Sequence, residues 1–454
     1  MNDPSSIFNK KAEQIAFDEI HRAKIKHNIS QYDKAFEDGK LRYANLELAR
    51  QRAANVKYKA LSQLDKYLVE FETNFTNNGG KLLWARHADE AVELIVKLLK
   101  AEKAKKVVKS KSMTSEEIKL NEQLEKNGIQ AVETDLGEFI VQQAGEKPYH
   151  IVTPAMHKSK EDVAALYHEK FNTTADSTPE EITAFTRQLL RDEFQLADAA
   201  ITGANFLLAD VGAVALTENE GNGLMSIAFP KLHIVLVGIE KILPSIDDLD
   251  LFWPLLATHG TGQFMTAYNS IISGAESKKM VVVLLDNGRS NLLAKKRQRQ
   301  ALSCIRCGAC LNVCPVYKNI GGHTYDTTYT GPIGAVITPH LKGMKAYKHL
   351  SFASTLCGHC TEVCPVKIPL HQMLLLNREE AVKEGLTTSG ERFMMKTATQ
   401  VLQSRRVTDF AGPTAKNLVM KYFFSKTWGP RRNMPKLAKK SFSQLWKEKH
   451  KLEE

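Results

Sequence analysis

Cysteine is missing from the first 303 residues of the chain, and then seven cysteines fall between positions 304 and 364. An odd number packed into two short-spaced runs argues against a disulfide framework and for metal ligation in a reducing compartment, so a cytoplasmic location is expected. Long apolar runs are also lacking. None approaches the roughly 18 residues of a membrane span, and the opening MNDPSSIFNKKAEQ does not have the basic-then-apolar shape of a signal peptide. No Gly-rich nucleotide fingerprint follows a strand, so neither NAD nor FAD is assigned. The 454 residues, 43% of them hydrophobic, suffice for a sizeable core and more than one domain.

The formal net charge is +11, and most of it is local: from Arg405 to Glu454 there are thirteen Lys and Arg against four Asp and Glu. Such a tail can meet phosphates, anionic lipid or an acidic partner surface, or stay solvated. It contains no recognisable DNA-binding motif. Partner docking or solvation is therefore the expectation for this segment, with its aromatic residues Tyr422, Phe423, Phe424, Trp428 and Trp446.

The hydrophobic period divides the chain. Residues 1–72 form an N-terminal helical region, free of proline from residue 9 onward and with apolar residues three and four apart. After Asn77–Gly80 the texture changes. KLLWAR, KKVVKS and IQAVETD read as strands between the helical stretches DEAVELIVKLLKAEKA and SEEIKLNEQLEKNG, the pattern of βαβ units and a parallel sheet. Residues 73–290 are thus expected to be an α/β domain, 291–385 a cysteine module supported by short helices, and 386–454 a basic helical extension.

The first cysteine run, CIRCGACLNVCP, places Cys304, Cys307, Cys310 and Cys314 at spacings 2, 2 and 3 with Pro315 following. The second, STLCGHCTEVCP, has Cys357, Cys360 and Cys364 in the same register, Pro365 after them and Ser354 in the first slot. A tetrahedral zinc site needs only two C-x2-C pairs. This larger set matches the ferredoxin run, in which three cysteines hold one cubane and the fourth reaches its neighbour. Crossed ligation assigns Cys304, Cys307, Cys310 and Cys364 to a first [4Fe-4S] cluster, and Cys314, Cys357 and Cys360 to a second that has only three cysteine ligands.

The α/β domain has its own candidates. Lys109, Lys111, Ser112 and Glu116 lie where a strand turns into a helix, which suits either an anion site or a cap in which Ser112 or Thr114 satisfies amides and Glu116 or Glu117 completes the box. Asn219, Gly221 and Gly223 of ENEGNG allow close approach to a ligand or simply form a tight turn. His150 and His157 read as surface or capping residues rather than ligands.

The segments ALSCIRCGACLNVCPVY, GGHTYDTTYTGPIGAVITP and STLCGHCTEVCPVKIPLH resemble the lactate utilisation protein B family. VKSKSMTSEE, TGANFLLADVGAVALTENEGNG, PKLHIVLVGIEKILP and LLDNGRSNLL are similar to its lactate-utilisation (LUD) domain. The resemblance covers nearly the whole chain. It implies a fold like the CoA-transferase and ribose-5-phosphate-isomerase group for residues 73–290, followed by an α-helical ferredoxin-like two-cluster module. It also implies partners, a cysteine-rich ferredoxin-like protein and a second LUD-domain protein, which together oxidise L-lactate to pyruvate. The expected role is an iron–sulfur electron-transfer subunit, with electrons passing to a quinone or flavoprotein. Two alternatives stand beside it: an α/β small-molecule module with the clusters as electron outlet, and an iron–sulfur nucleic-acid protein suggested only by the basic tail.

Overall fold

The computed structural model describes residues 3–274, 279–410, 412–429 and 433–451. The chain divides into two compact units, Met1–Ala381 and Val382–Glu454.

The first unit opens with helices Pro4–Ala16, Glu19–Lys40, Leu46–Ser62 and Leu64–Asn77. Asp18 and Asn45 start the second and third by accepting hydrogen bonds from the amides of His21 and Leu48. Ten strands follow: β1 (Lys81–Ala85), β2 (Lys106–Lys109), β3 (Gln130–Glu133), β4 (Ala199–Thr202), β5 (Phe206–Leu208), β6 (Ala213–Glu218), β7 (Leu232–Gly238), β8 (Ile242–Leu243), β9 (Tyr268–Ile272) and β10 (Lys279–Leu285). Six of them form a sheet in the order β1-β10-β7-β4-β2-β3 with every pair parallel. The other four form a smaller mixed sheet, β8-β5-β6-β9.

Alternation along the central strands explains the layers. In β10, Val281, Val283 and Leu285 face a core shared with Ile95 and Leu99 of the helix Ala88–Ala101. Met280, Val282 and Leu284 face the opposite core, with Phe71 and Phe75 of Leu64–Asn77 and Leu207 and Val214 of the smaller sheet. Both faces of β7 and β10 are covered, and the two strands are accordingly apolar on both faces, apart from the buried His233 of β7, which bonds Thr202 at 2.8 Å, and Lys279 at the start of β10. The structure is thus a mixed α/β fold with a parallel sheet.

A third core joins the N-terminal helices to the cysteine module. Phe8, Ile25 and Phe36 pack in one cluster with Leu311, Tyr317, Ile333, Leu350 and Leu374. That module consists of short helices, Ala309–Asn312, Pro315–Ile320, Gly331–Lys342, Met344–Phe352 and His359–Glu362, followed by the longer Leu370–Lys383.

One expected element differs. SEEIKLNEQLEKNG is not a single helix but two, Met113–Glu117 and Leu120–Lys126, broken at Lys119 in the left-handed region with φ 53°. Glu117 must reach a buried arginine while Leu120 and Leu124 stay in the core, and an unbroken helix does not serve both.

The second unit is helical, from Ser389–Gln403 to Phe442–Lys451. Tyr422, Phe424, Trp428 and Trp446 are exposed. The Phe423 side chain lies outside the described residues.

Candidate functional site

The first cysteine run folds into a cup because two of its residues adopt left-handed backbone, Arg306 at φ 64° and Gly308 at φ 81°. Cys304, Cys307 and Cys310 line one small cavity, and the fourth sulfur on its wall is Cys364 from the second run, fifty residues and more away. Apolar residues, among them Ile151, Ile305, Ile333 and Leu370, make up most of the remaining lining, with Arg306 beside them. Burial pushes the Cys310 thiol up, and neighbouring Cys304, Cys307 and Cys364 push it further. Cys364 is pushed up to about 11, by burial first and then by Cys304. Four thiolates cannot share so dry a site without a cation to offset their charge, so the donor set suits a metal centre. Backbone amides already point at sulfur: Arg306 N donates to Cys304 at 3.4 Å, and Ile368 N donates to Cys364 at 3.4 Å.

Cys314, Cys357 and Cys360 form a second group. Burial pushes Cys360 up to about 12, with Cys314 and Cys357 adding to the effect. Cys357 is exposed, whereas Cys360 is buried. Tyr317 N donates to the Cys314 sulfur at 3.5 Å. Ser354 is not hydrogen-bonded to this group; its hydroxyl accepts from the Leu356 amide at 3.1 Å. The two loops are built alike. Leu356 (φ 54°) and Gly358 (φ 87°) take the left-handed positions held by Arg306 and Gly308 in the first.

A buried ion network that was not anticipated from the sequence ties the α/β domain to the first cysteine loop. Arg289, only 1% exposed, donates from Nη1 and Nη2 to the two oxygens of Glu117 at 2.9 and 2.8 Å, and from Nε to Glu240 at 2.6 Å. Burial works against the Glu117 charge, but Arg289 outweighs it and holds the carboxyl down at about 2. Tyr329 donates to Glu117 at 2.6 Å, and Arg306 reaches Glu240 at 3.4 Å. The residues come from LLDNGRSNLL, SEEIKL, GIEKILP, the first cysteine run and TYDTTYTGP. Nothing local in any of them signals burial.

The other candidates fall as follows. Lys109 is buried and consumed, with Nζ 2.7 Å from Glu133, 2.9 Å from Ser115 Oγ and 3.5 Å from Glu116. Ser112 caps the helix Met113–Glu117 by accepting from Ser115 N, without completion of a capping box by Glu116. His150 is a cap, but a buried one: its Nδ1 accepts from the amides of Val152 and Thr153, and burial pushes its pKa down to about 3. His157 bonds Glu146 at 2.5 Å. Asn219 is bonded to Gln263 and to the Ala267 amide, and Gly221 turns at φ 70°. Lys111, Ser112, Thr114, Asn219 and Gly223 do come together, around a cavity of about 390 Å³.

The family described as 4Fe-4S dicluster domain matches residues 300–368, and the LUD domain family matches residues 68–290. With a cysteine cup drawn from two runs and set against a parallel α/β domain, these matches define an iron–sulfur protein of the dicluster class. Among known proteins, Lactate utilization protein B of Oceanobacillus iheyensis is 39% identical over 449 residues, 94% of each chain. Lactate utilization protein B of Bacillus subtilis is 43% identical over 361 residues, 78% of this chain and 75% of its own. The uncharacterized electron transport protein YkgF of Escherichia coli is 42% identical over 76% of this chain and 74% of its own. The chain belongs to the lactate utilisation protein B family. A crystal structure of a DUF162 family protein from Deinococcus radiodurans covers 49% of this chain and 98% of its own at 14% identity and a TM-score of 0.29, too slight a likeness to argue fold from.

Proposed function

We propose that the protein is the iron–sulfur electron-transfer subunit of a complex that oxidises L-lactate to pyruvate and so supports growth on lactate. The observation that carries this reading is the pair of cysteine groups, each drawing on both runs, in a chain whose relatives are lactate utilisation proteins over most of their length. Cys304, Cys307, Cys310 and Cys364 would hold one [4Fe-4S] cluster, and Cys314, Cys357 and Cys360 a second with an open fourth position. Such clusters supply storage and passage of single electrons. The chain's own contribution is to bury the first site and to aim the amides of Arg306, Tyr317 and Ile368 at sulfur, which tunes the potential.

Residues 73–290 are assigned to the CoA-transferase and ribose-5-phosphate-isomerase group on the resemblance of their motifs, with 1–72 as a helical region before them, 291–385 as the cluster module and 386–454 as the extension. The partners are taken to be a cysteine-rich ferredoxin-like protein and a second LUD-domain protein. A cytoplasmic site of action fits the free cysteines, and no helix among the described residues is long and apolar enough to cross a membrane. The nucleic-acid reading has no support beyond the basic tail. Deletion of the gene is expected to abolish growth on L-lactate as sole carbon source. Normal growth in a strain with no other lactate oxidase would remove the reading.

A further inference from the structure

The cavity of about 390 Å³ lies within the size range of small-molecule pockets. Its walls include the segments that follow four strands of the parallel sheet. Ser110 and Ser112 come after β2, Asp135 after β3, Asn205 after β4 and Lys241 after β7. Ligands of open parallel α/β sheets bind at these carboxyl ends, where successive loops diverge and leave a crevice. Part of the remaining wall is the loop that builds the cysteine cup. Ile305 and Arg306, between Cys304 and Cys307, line the cavity on one side and the cup on the other. One loop therefore separates whatever occupies the cavity from the first cysteine group.

At that wall two buried cations have unused donors. The Arg306 side chain is 9% exposed; its Nη2 reaches Glu240 at 3.4 Å, its guanidinium lies over the Tyr329 ring at 4.4 Å, and its Nη1 is buried with no hydrogen-bond partner. Lys241 is 8% exposed, and its Nζ makes no hydrogen bond or ion pair with any described residue. The other buried cations are all engaged. Lys57 donates to the carbonyls of Glu240 and Ile242, Lys109 binds Glu133, and Arg289 binds Glu117 and Glu240. Leaving a buried charged donor unmade costs more than a typical hydrogen bond contributes. A planar guanidinium with a free edge beside an ammonium matches a carboxylate, which accepts from both. Elsewhere the lining carries acceptors for a hydroxyl, among them Asp135, Glu218 and Glu220.

We infer that this cavity binds a small hydroxylated carboxylate, its carboxylate held by Arg306 and Lys241 against the Cys304–Cys307 loop. The inference rests on the function proposed above, and it adds that this chain binds the organic acid instead of only relaying electrons from a partner that does.

The test uses the full-length protein purified anaerobically with its iron in place. Titration calorimetry is run with L-lactate, pyruvate and inorganic phosphate on the native protein and on Lys241→Gln and Arg306→Gln, with iron content measured for each. Saturable binding of L-lactate or pyruvate is expected, weakened tenfold or more in Lys241→Gln and in Arg306→Gln. Because Arg306 sits on the cysteine loop, Lys241→Gln is the deciding variant if Arg306→Gln loses iron. No saturable heat from either carboxylate with fully loaded native protein would overturn the inference, since the two cations would then only offset charge at the cysteine cup. Binding that Lys241→Gln leaves unchanged would overturn the location, and phosphate binding as tightly as the carboxylates would overturn the ligand class. The growth test separates the two readings. A deletion strain that fails on L-lactate while the protein binds no carboxylate overturns the site and leaves electron transfer standing, whereas binding with normal growth does the reverse.

Discussion

The Leu356 amide donates to Ser354 Oγ at 3.1 Å, and the same contact recurs one run earlier, where the Arg306 amide donates to Cys304 Sγ at 3.4 Å. In both loops the donor is a left-handed residue two positions on, followed by a left-handed glycine. Ser354 therefore keeps the turn of a cysteine loop while lacking the sulfur.

The second site is accordingly expected to be the labile one. A serine oxygen is a harder and far more weakly acidic ligand than thiol, so three thiolates leave one iron weakly held. Air exposure of the purified protein should give a [3Fe-4S] signal in electron paramagnetic resonance while the first cluster persists, and Ser354→Cys should suppress it. Parallel decay of both clusters, unaffected by the added cysteine, would reveal a firm fourth ligand.

Cys364→Ala should damage the first cluster, not the second, despite its place in the second run. The reason is its position on the wall of the cup with Cys304, Cys307 and Cys310. Spectra that assign the loss to the second cluster would refute the crossed arrangement.

Arg289→Leu leaves Glu117 and Glu240 buried and without their main counter-charge. Removing one partner of a buried ion pair costs about 3–5 kcal/mol, so thermal unfolding should come markedly earlier. A melting temperature within a degree or so of native would show that water reaches the network.

Acid should loosen the fold through buried histidines. Burial lowers the His259 pKa from 6.5 to about 4, so the unfolded state binds its proton first. The contribution is intact above pH 6.5 and is lost as the pH falls to about 4, amounting to about 3 kcal/mol. Urea midpoints measured through that window should fall, and His259→Gln should flatten the slope.

The C-terminal unit exposes Phe393, Leu402, Phe410 and Tyr422 among its basic residues. Truncation after Gln403 should leave iron content unchanged and lower recovery of the partner proteins, with the native interaction weakening in salt because the Debye length is about 8 Å at physiological ionic strength. Unchanged recovery would mean that the tail is only solvated.

Features that depend on neighbours in the chain were legible without the fold. The spacing of cysteines within a loop, the largely apolar stretches of β7 and β10, and the cap at Ser112 all follow from local geometry, whose period is set by the backbone. The cavity's lining was half legible, since Lys111, Ser112, Asn219 and Gly223 stood out in the segments that follow strands. Its decisive residues did not. Arg306 and Lys241 look like ordinary solvated charges, and only the packing of the cysteine loop against the carboxyl ends of β2, β4 and β7 removes water from them. The Arg289 network is the clearest case. Glu117, Glu240, Arg289, Arg306 and Tyr329 are scattered over more than two hundred residues, and no local period records that five such groups will share one dry site, because burial is a property of the assembled layers and not of any segment.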